Sequence, residues 1–142
     1  MKKFFVPLLL TVLCCLSILG LAGCKAKVST ITDIDRYSQM TSAADKIDVC
    51  YDCGAEDYLR FTVTDEADIA EIMEILFSDT LSNQGKQLPP QGLNTFIVIY
   101  QGENSYSVDV HQIYYNQRLY TFSTSRLADK ITALASAIVN ID

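Results

Sequence analysis

Tryptophan is absent from this 142-residue chain, histidine occurs once, and basic side chains are scarce, with 11 Lys and Arg against 17 Asp and Glu. The excess of acids argues against nucleic-acid binding, which needs clustered Lys and Arg. A zinc site needs about four ligands, and nothing in the sequence adds a second close pair to its one C-x-x-C motif, so we expect no metal and no cofactor. The length suits one domain of about 100–150 residues.

Charge is also missing from residues 4–21, a run of 18 uncharged residues that follows Met1, Lys2 and Lys3. A short positive segment before such an apolar run is typical of an export signal. The run also approaches the roughly 20 residues that span a bilayer, so a transmembrane helix is the alternative. The residues at the end of the run decide between these two interpretations.

Leu21-Ala22-Gly23-Cys24 closes the apolar run. This tetrapeptide resembles the lipobox of bacterial lipoproteins, in which a large aliphatic residue and two small residues precede a cysteine. The resemblance implies that the Cys24 sulfur receives a diacylglycerol and that a signal peptidase cleaves between Gly23 and Cys24. Residues 1–23 would then be a signal peptide, residues 24–32 a lipidated N-terminus with a short tether, and residues 33–142 one globular domain on the extracytoplasmic face of a bacterial membrane.

Cleavage there would leave 119 residues with nine basic and 17 acidic side chains, a balance of −8. More than one acyl chain is needed for stable anchoring, and a diacylglycerol supplies it. A negative protein is repelled by anionic lipid. We therefore expect the domain to stand away from the membrane surface on its tether.

Periodicity and turn residues predict an α+β fold in the order (α)ββαβββα, an antiparallel sheet of about five strands with two helices packed on one face. The strand at 94–101 is apolar on both faces, which predicts a central position. Two glycines and the pair Pro89-Pro90 predict a loop over residues 80–92. Alternating side chains predict strands, and a period of 3.6 predicts helices, over the following residues: strands at 46–51, 58–64, 94–101, 105–113 and 118–123; helices at 33–45, 65–78 and after 125.

Cys50 and Cys53 form the one chemical motif after residue 24. Export to an oxidising compartment favours a disulfide, but residues i and i+3 of a strand lie about 10 Å apart and a disulfide needs Cα atoms within about 7 Å. The bond therefore requires a turn at Tyr51-Asp52. The alternative function is a thiol–disulfide redox protein, whose cysteines must open a helix, whereas a strand follows this pair. Free or otherwise paired thiols are the third interpretation.

A binding surface is the other candidate site. Tyr114, Tyr115 and Tyr120 lie close together in sequence, and tyrosine combines contact area with a polar tip. The loop that carries Pro89 and Pro90 is a second candidate surface. The alternative is that the tyrosines complete the edges of the core.

His111 and the acids before the second helix have simpler explanations than catalysis. Asp109 shares a strand face with His111 and could form an acid–base pair, but we expect an exposed surface histidine. Asp65, Glu66 and Asp68 suit helix capping and the helix dipole without a bound cation. The sequence thus predicts a non-enzymatic, lipid-anchored binding module for an envelope protein or peptide, with the redox protein as the alternative.

Overall fold

Two four-stranded antiparallel sheets and two α-helices make up the part of the chain that the computed structural model describes, residues 28–92 and 94–139. The fold class is α+β, as predicted. The elements, in chain order, are β1 (Val28–Ser29), β2 (Lys46–Cys53), β3 (Leu59–Val63), α1 (Glu66–Ser78), β4 (Leu81–Lys86), β5 (Asn94–Gln101), β6 (Asn104–Asp109), β7 (Gln112–Tyr115), β8 (Arg118–Phe122) and α2 (Arg126–Val139).

The strands divide between a first sheet of order β1-β4-β8-β7 and a second sheet of order β3-β2-β5-β6. The prediction of one sheet with about five strands is therefore wrong. β5 is central, as predicted, because it pairs with both β2 and β6. All the pairings within the two sheets are antiparallel.

Three strands account for the difference. β1 lies in the predicted tether, and β4 lies in the predicted loop, where a polar sequence pairs through its backbone with β8 and buries Leu81. The predicted strand at 105–113 is two strands, because the Asp109 carboxylate accepts hydrogen bonds from the amides of His111 and Gln112 at 2.8 and 3.2 Å. The turn so formed carries the chain from the second sheet into the first.

Helix α1 begins where the acids predict. Asp65 is its N-cap, and its carboxylate accepts hydrogen bonds from the amides of Ala67 and Asp68 at 3.0 Å each. The predicted helix at 33–45 is wrong in type, since the chain forms only two short 3₁₀ turns there, Ile31–Asp33 and Asp35–Tyr37. The apolar residues that suggested a helix are still buried.

One core unites the inner face of the second sheet with both helices, the 3₁₀ segment and part of the first sheet. Ile47, Ile97 and Ile99 are fully buried on that inner face. On the surface, the Lys130 ammonium of α2 contacts Asp68 and Glu71 of α1 at 2.8 and 2.5 Å. The outer face of the second sheet is less covered, and the side chains there remain accessible.

Candidate functional site

The outer face of the second sheet is an open groove of about 470 Å³. Side chains alternate across a strand, so those opposite the buried isoleucines point into this groove. Phe96, Val98 and Tyr100 follow one another at every second position of β5 and are half-buried. They form an apolar row. The polar and charged side chains beside the row come from β2 and β3: Lys46, Asp48, Arg60 and Thr62.

A polar network fixes one end of the groove. The Thr62 hydroxyl donates to the Asp48 carboxylate at 2.7 Å, and the Lys46 ammonium lies 3.8 Å from Asp48 and 4.4 Å from the Tyr100 ring centre. The Thr62 hydrogen bond is the main cause that lowers the pKa of Asp48, against a smaller effect of burial. Hydrogen bonding to Asp48 is the main cause that raises the pKa of Tyr100. At neutral pH the network therefore holds an ionised acid and a protonated phenol, which suits recognition better than proton transfer.

Cys50 and Cys53 lie at the end of β2, and Cys50 is one of the residues that line the groove. The structure pairs their sulfur atoms and places their Cα atoms 5.7 Å apart. The chain makes the turn that a disulfide requires, because Asp52 has a positive φ of 51° and the β2–β5 register shifts between the two cysteines. Thr95 supports this bulge, since its buried hydroxyl accepts a hydrogen bond from the Asp52 amide at 3.0 Å.

The surroundings of the pair differ from those of a redox site. Both cysteines belong to a strand, and no helix of the described residues begins near them, so neither receives the charge stabilisation of a helix N-terminus. Cys50 is only 5% exposed. Arg60 lies opposite Cys50 in the β2–β3 register, so a basic residue neighbours the pair although the two lie ten positions apart in sequence. Burial of Cys50, more than charge, argues for a structural role.

Replacing both cysteines by serine should cost at most about 2 kcal/mol of unfolding free energy, because a disulfide that closes about four residues removes little entropy from the unfolded chain. Urea denaturation of a chain that begins at Lys25 measures this. The variant with Arg60→Ala, which keeps both sulfurs, is the control. A loss well above about 2 kcal/mol, or insulin reduction by the dithiol form that exceeds free dithiothreitol and disappears in the double variant, would contradict the structural role.

The tyrosine cluster does not form one patch. The β7–β8 register places Tyr115 and Tyr120 on the core side of the first sheet, where both pack against the core, and Tyr114 on the opposite side. The Tyr114 hydroxyl donates to the carbonyl of Gln87 at 3.1 Å. Tyr115 and Tyr120 therefore complete the core edge, as the alternative interpretation proposed.

Pro89 and Pro90 lie in the connection between β4 and β5, away from any described strand or helix. Pro89 is exposed and Pro90 is half-buried. The neighbouring Leu88 is the most exposed large hydrophobic residue of the described chain, at 87%. This loop therefore exposes an apolar side chain to solvent.

His111 is exposed, and its neighbour Asp109 uses its carboxylate to hold the β6–β7 turn. Of the acids at the start of α1, Asp65 caps the helix and Asp68 forms an ion pair with Lys130. Among residues 28–92 and 94–139, no three or more His, Cys, Asp or Glu side chains cluster as metal ligands.

The groove itself was missed by the sequence interpretation. Alternation along residues 94–101 does show that Phe96, Val98 and Tyr100 share a face. The identity of the flanking charges depends on the register of three strands, which alternation does not specify. The predicted lipid site, Gly23 and Cys24, lies outside the described residues.

No family model, curated protein or solved structure matches this chain. Of the helices in the described ranges, none combines the length and apolar character needed to cross a membrane. The features that bear on function are therefore the lipobox-like tetrapeptide, the outer groove and the cysteine pair.

Proposed function

We propose that this chain is a lipid-anchored, non-enzymatic binding module on the extracytoplasmic face of a bacterial membrane. The anchor is the diacylglycerol that the resemblance of Leu21-Ala22-Gly23-Cys24 to a lipobox implies. The partner is an envelope protein or peptide that binds in the groove on the outer face of the second sheet. The covalent lipid is the contact with the membrane that this function requires.

The apolar row of β5 is the observation that carries the binding role. Phe96, Val98 and Tyr100 present half-buried apolar surface in a groove that neither described helix covers. Aromatic anchors surrounded by polar side chains are typical of protein interfaces. The polar network of Lys46, Asp48 and Thr62 adds fixed geometry, which lowers the entropic cost of binding.

Arg60 indicates the chemistry of the partner. Its guanidinium lies 5.2 Å from the Tyr58 ring centre, and no acidic side chain among the described residues lies within 4 Å of it. Lys46, by contrast, already has Asp48 as its partner. The groove thus suits a protein segment that brings an apolar side chain to β5 and a carboxylate to Arg60.

The redox alternative has weaker support. It requires an accessible, activated thiol, and Cys50 is buried in a strand.

Site-specific photo-crosslinking in intact cells tests the groove. A photoreactive residue at Val98 should crosslink to a protein, whereas the same residue at exposed Ala133 on α2 should not. Arg60→Glu should reduce the Val98 crosslink about tenfold, because reversing one interface charge costs at least about 1.4 kcal/mol. Equal crosslinking at the two positions, or a Val98 crosslink that Arg60→Glu leaves unchanged, would contradict the groove as the binding site.

A further inference from the structure

Charge is divided unequally between the two sheets. The segments that supply the first sheet, residues 28–29, 80–92 and 110–123, contain no Asp or Glu, and they contribute Lys86 and Arg118. Lys25 and Lys27 lie just before the first of these segments in sequence. All 17 acids lie in the rest of residues 30–142, together with only five Lys or Arg. Although the net charge of the chain is negative, the segments of the first sheet contain no acidic residue.

The cations of this sheet meet at one end of it. Lys86 pairs with Arg118 across β4 and β8, and Arg118 pairs with Tyr115 across β8 and β7. The Arg36 guanidinium lies 5.4 Å from the Tyr115 ring centre. We call Lys86, Arg118, Arg36 and Tyr115 the basic row.

The three cations of the basic row are exposed, and within the described ranges no carboxylate lies within 4 Å of them. Two acids belong to the 3₁₀ segment that carries Arg36. Asp35 precedes it directly, and Asp33 accepts a hydrogen bond from the Thr30 amide at 2.8 Å. Asp109 lines the same pocket as Arg36. Lys86 and Arg118 have no acid in their own segments, so these two residues carry the positive charge of the basic row.

The first residue of β1, Val28, lies towards the same end of the first sheet. β1 runs antiparallel to β4, with Val28 opposite Ser82 and Ser29 opposite Leu81, so the N-terminal end of β1 points towards the Lys86 end of β4. Three residues separate Cys24 from Val28. A fully extended chain of this length spans no more than about 14 Å.

Leu88 extends from this end of the sheet. The Gln87 amide donates to the Gln117 carbonyl at 3.1 Å, and the Gln87 carbonyl accepts the Tyr114 hydroxyl at 3.1 Å. These two bonds hold the start of the loop against the β7–β8 turn. Leu88 is 87% exposed directly beyond them.

We propose that the basic row and Leu88 form the surface with which the domain contacts an anionic phospholipid bilayer. The inference rests on the proposed anchor, because the short tether keeps this end close to the lipid. Each basic side chain at an anionic surface favours the docked orientation about fivefold. The net charge predicts a domain that stands away from the membrane, whereas the charge distribution predicts a domain that turns its acid-free end towards it.

Tryptophan fluorescence tests this orientation, because the native chain contains no tryptophan. The full lipidated protein is purified from cells and reconstituted into vesicles that contain phospholipid brominated near the glycerol end of the acyl chain. Leu88→Trp reports on the proposed contact. Tyr58→Trp, at a position 50% exposed among acidic residues of the β2–β3 connection, is the matched control.

We expect Leu88→Trp to be quenched several-fold more in phosphatidylglycerol vesicles than in phosphatidylcholine vesicles, and Tyr58→Trp to be quenched in neither. Adding Lys86→Gln and Arg118→Gln to Leu88→Trp should reduce the quenching to the phosphatidylcholine value. Equal quenching of the two tryptophan variants, no quenching of Leu88→Trp, or quenching that the two glutamines leave unchanged would overturn the proposal.

Vesicle flotation separates this proposal from the anchor. A Leu88→Trp protein that floats with both kinds of vesicle, yet shows no quenching of its tryptophan, retains the anchor and refutes the orientation. Protein that floats with neither kind refutes the anchor, and the orientation with it.

Discussion

Cys24→Ala should abolish incorporation of radiolabelled palmitate, because no other residue at the end of the apolar run carries a thiol that can form the thioether. Loss of the acyl chains removes about 0.8 kcal/mol of membrane binding for each buried CH₂ group, so the whole lipid contribution to membrane binding is lost. Labelling of the expressed chain, followed by immunoprecipitation, measures the effect.

The sequence offers two controls for this experiment. Cys15→Ala lies within the apolar run that cleavage would remove, and the double variant Cys50→Ser with Cys53→Ser lies in the folded domain. Both should keep the label. A Cys24→Ala chain that still incorporates palmitate, or a Cys15→Ala chain that loses it, would show that the lipobox interpretation is wrong.

Asp79→Ala should destabilise the domain by about 3 kcal/mol, because it removes several hydrogen bonds to one buried carboxylate. Asp79 is 5% exposed and follows α1 directly. Its carboxylate accepts hydrogen bonds from the Ser123 and Thr124 hydroxyls at 2.5 and 2.7 Å, and from the Thr80 and Thr124 amides at 2.8 and 3.3 Å. These hydrogen bonds connect the C-terminal end of α1 to Ser123 and Thr124, which precede α2.

Asp57→Ala is the matched control for Asp79→Ala, since Asp57 is an exposed carboxylate in the β2–β3 connection. It should change the unfolding free energy by no more than about 0.5 kcal/mol. Urea denaturation followed by circular dichroism measures both variants. Similar small effects of the two substitutions would contradict the role of Asp79.

The stability contributed by Asp79 should depend on pH. Burial alone would raise the pKa of Asp79, but the hydrogen bonds from Ser123, Thr124 and Thr80 together lower it below the ordinary value of 3.8. A lowered pKa in the folded state means that the stabilisation is fully present above pH 3.8 and is lost as the pH falls through the folded-state value. The difference in unfolding free energy between the native chain and the Asp79→Ala variant should therefore become smaller below that pH. A difference that stays constant from about pH 6 down to below the folded-state pKa would refute this linkage.

Helix α1 was predictable because its information is local. The apolar residues recur at helical spacing, and Asp65 supplies the cap at the expected position. β4 was not predictable in the same way, because its sequence Leu-Ser-Asn-Gln-Gly-Lys has no alternation and gains its structure from pairing with β8, more than 30 residues later. Two 3₁₀ turns replace the helix predicted at 33–45, and Tyr37 is buried without that helix.

The candidate surfaces depended still more on long-range structure. The tyrosines lie close together in sequence, yet the register of β7 and β8 separates Tyr114 from Tyr115 and Tyr120. Absence of acids from residues 80–92 and 110–123 is visible in the sequence. Its significance appears only when the sheet topology brings Lys86 beside Arg118.

Mass spectrometry of the N-terminal peptide tests the central claim most directly. The protein is extracted from bacterial membranes, digested, and its first peptide is fragmented. Lipid anchoring predicts a chain that begins at Cys24 and carries a diacylglycerol on the sulfur. A peptide in which Gly23 is still joined to Cys24, or a free Cys24 thiol at the mature N-terminus, would contradict it.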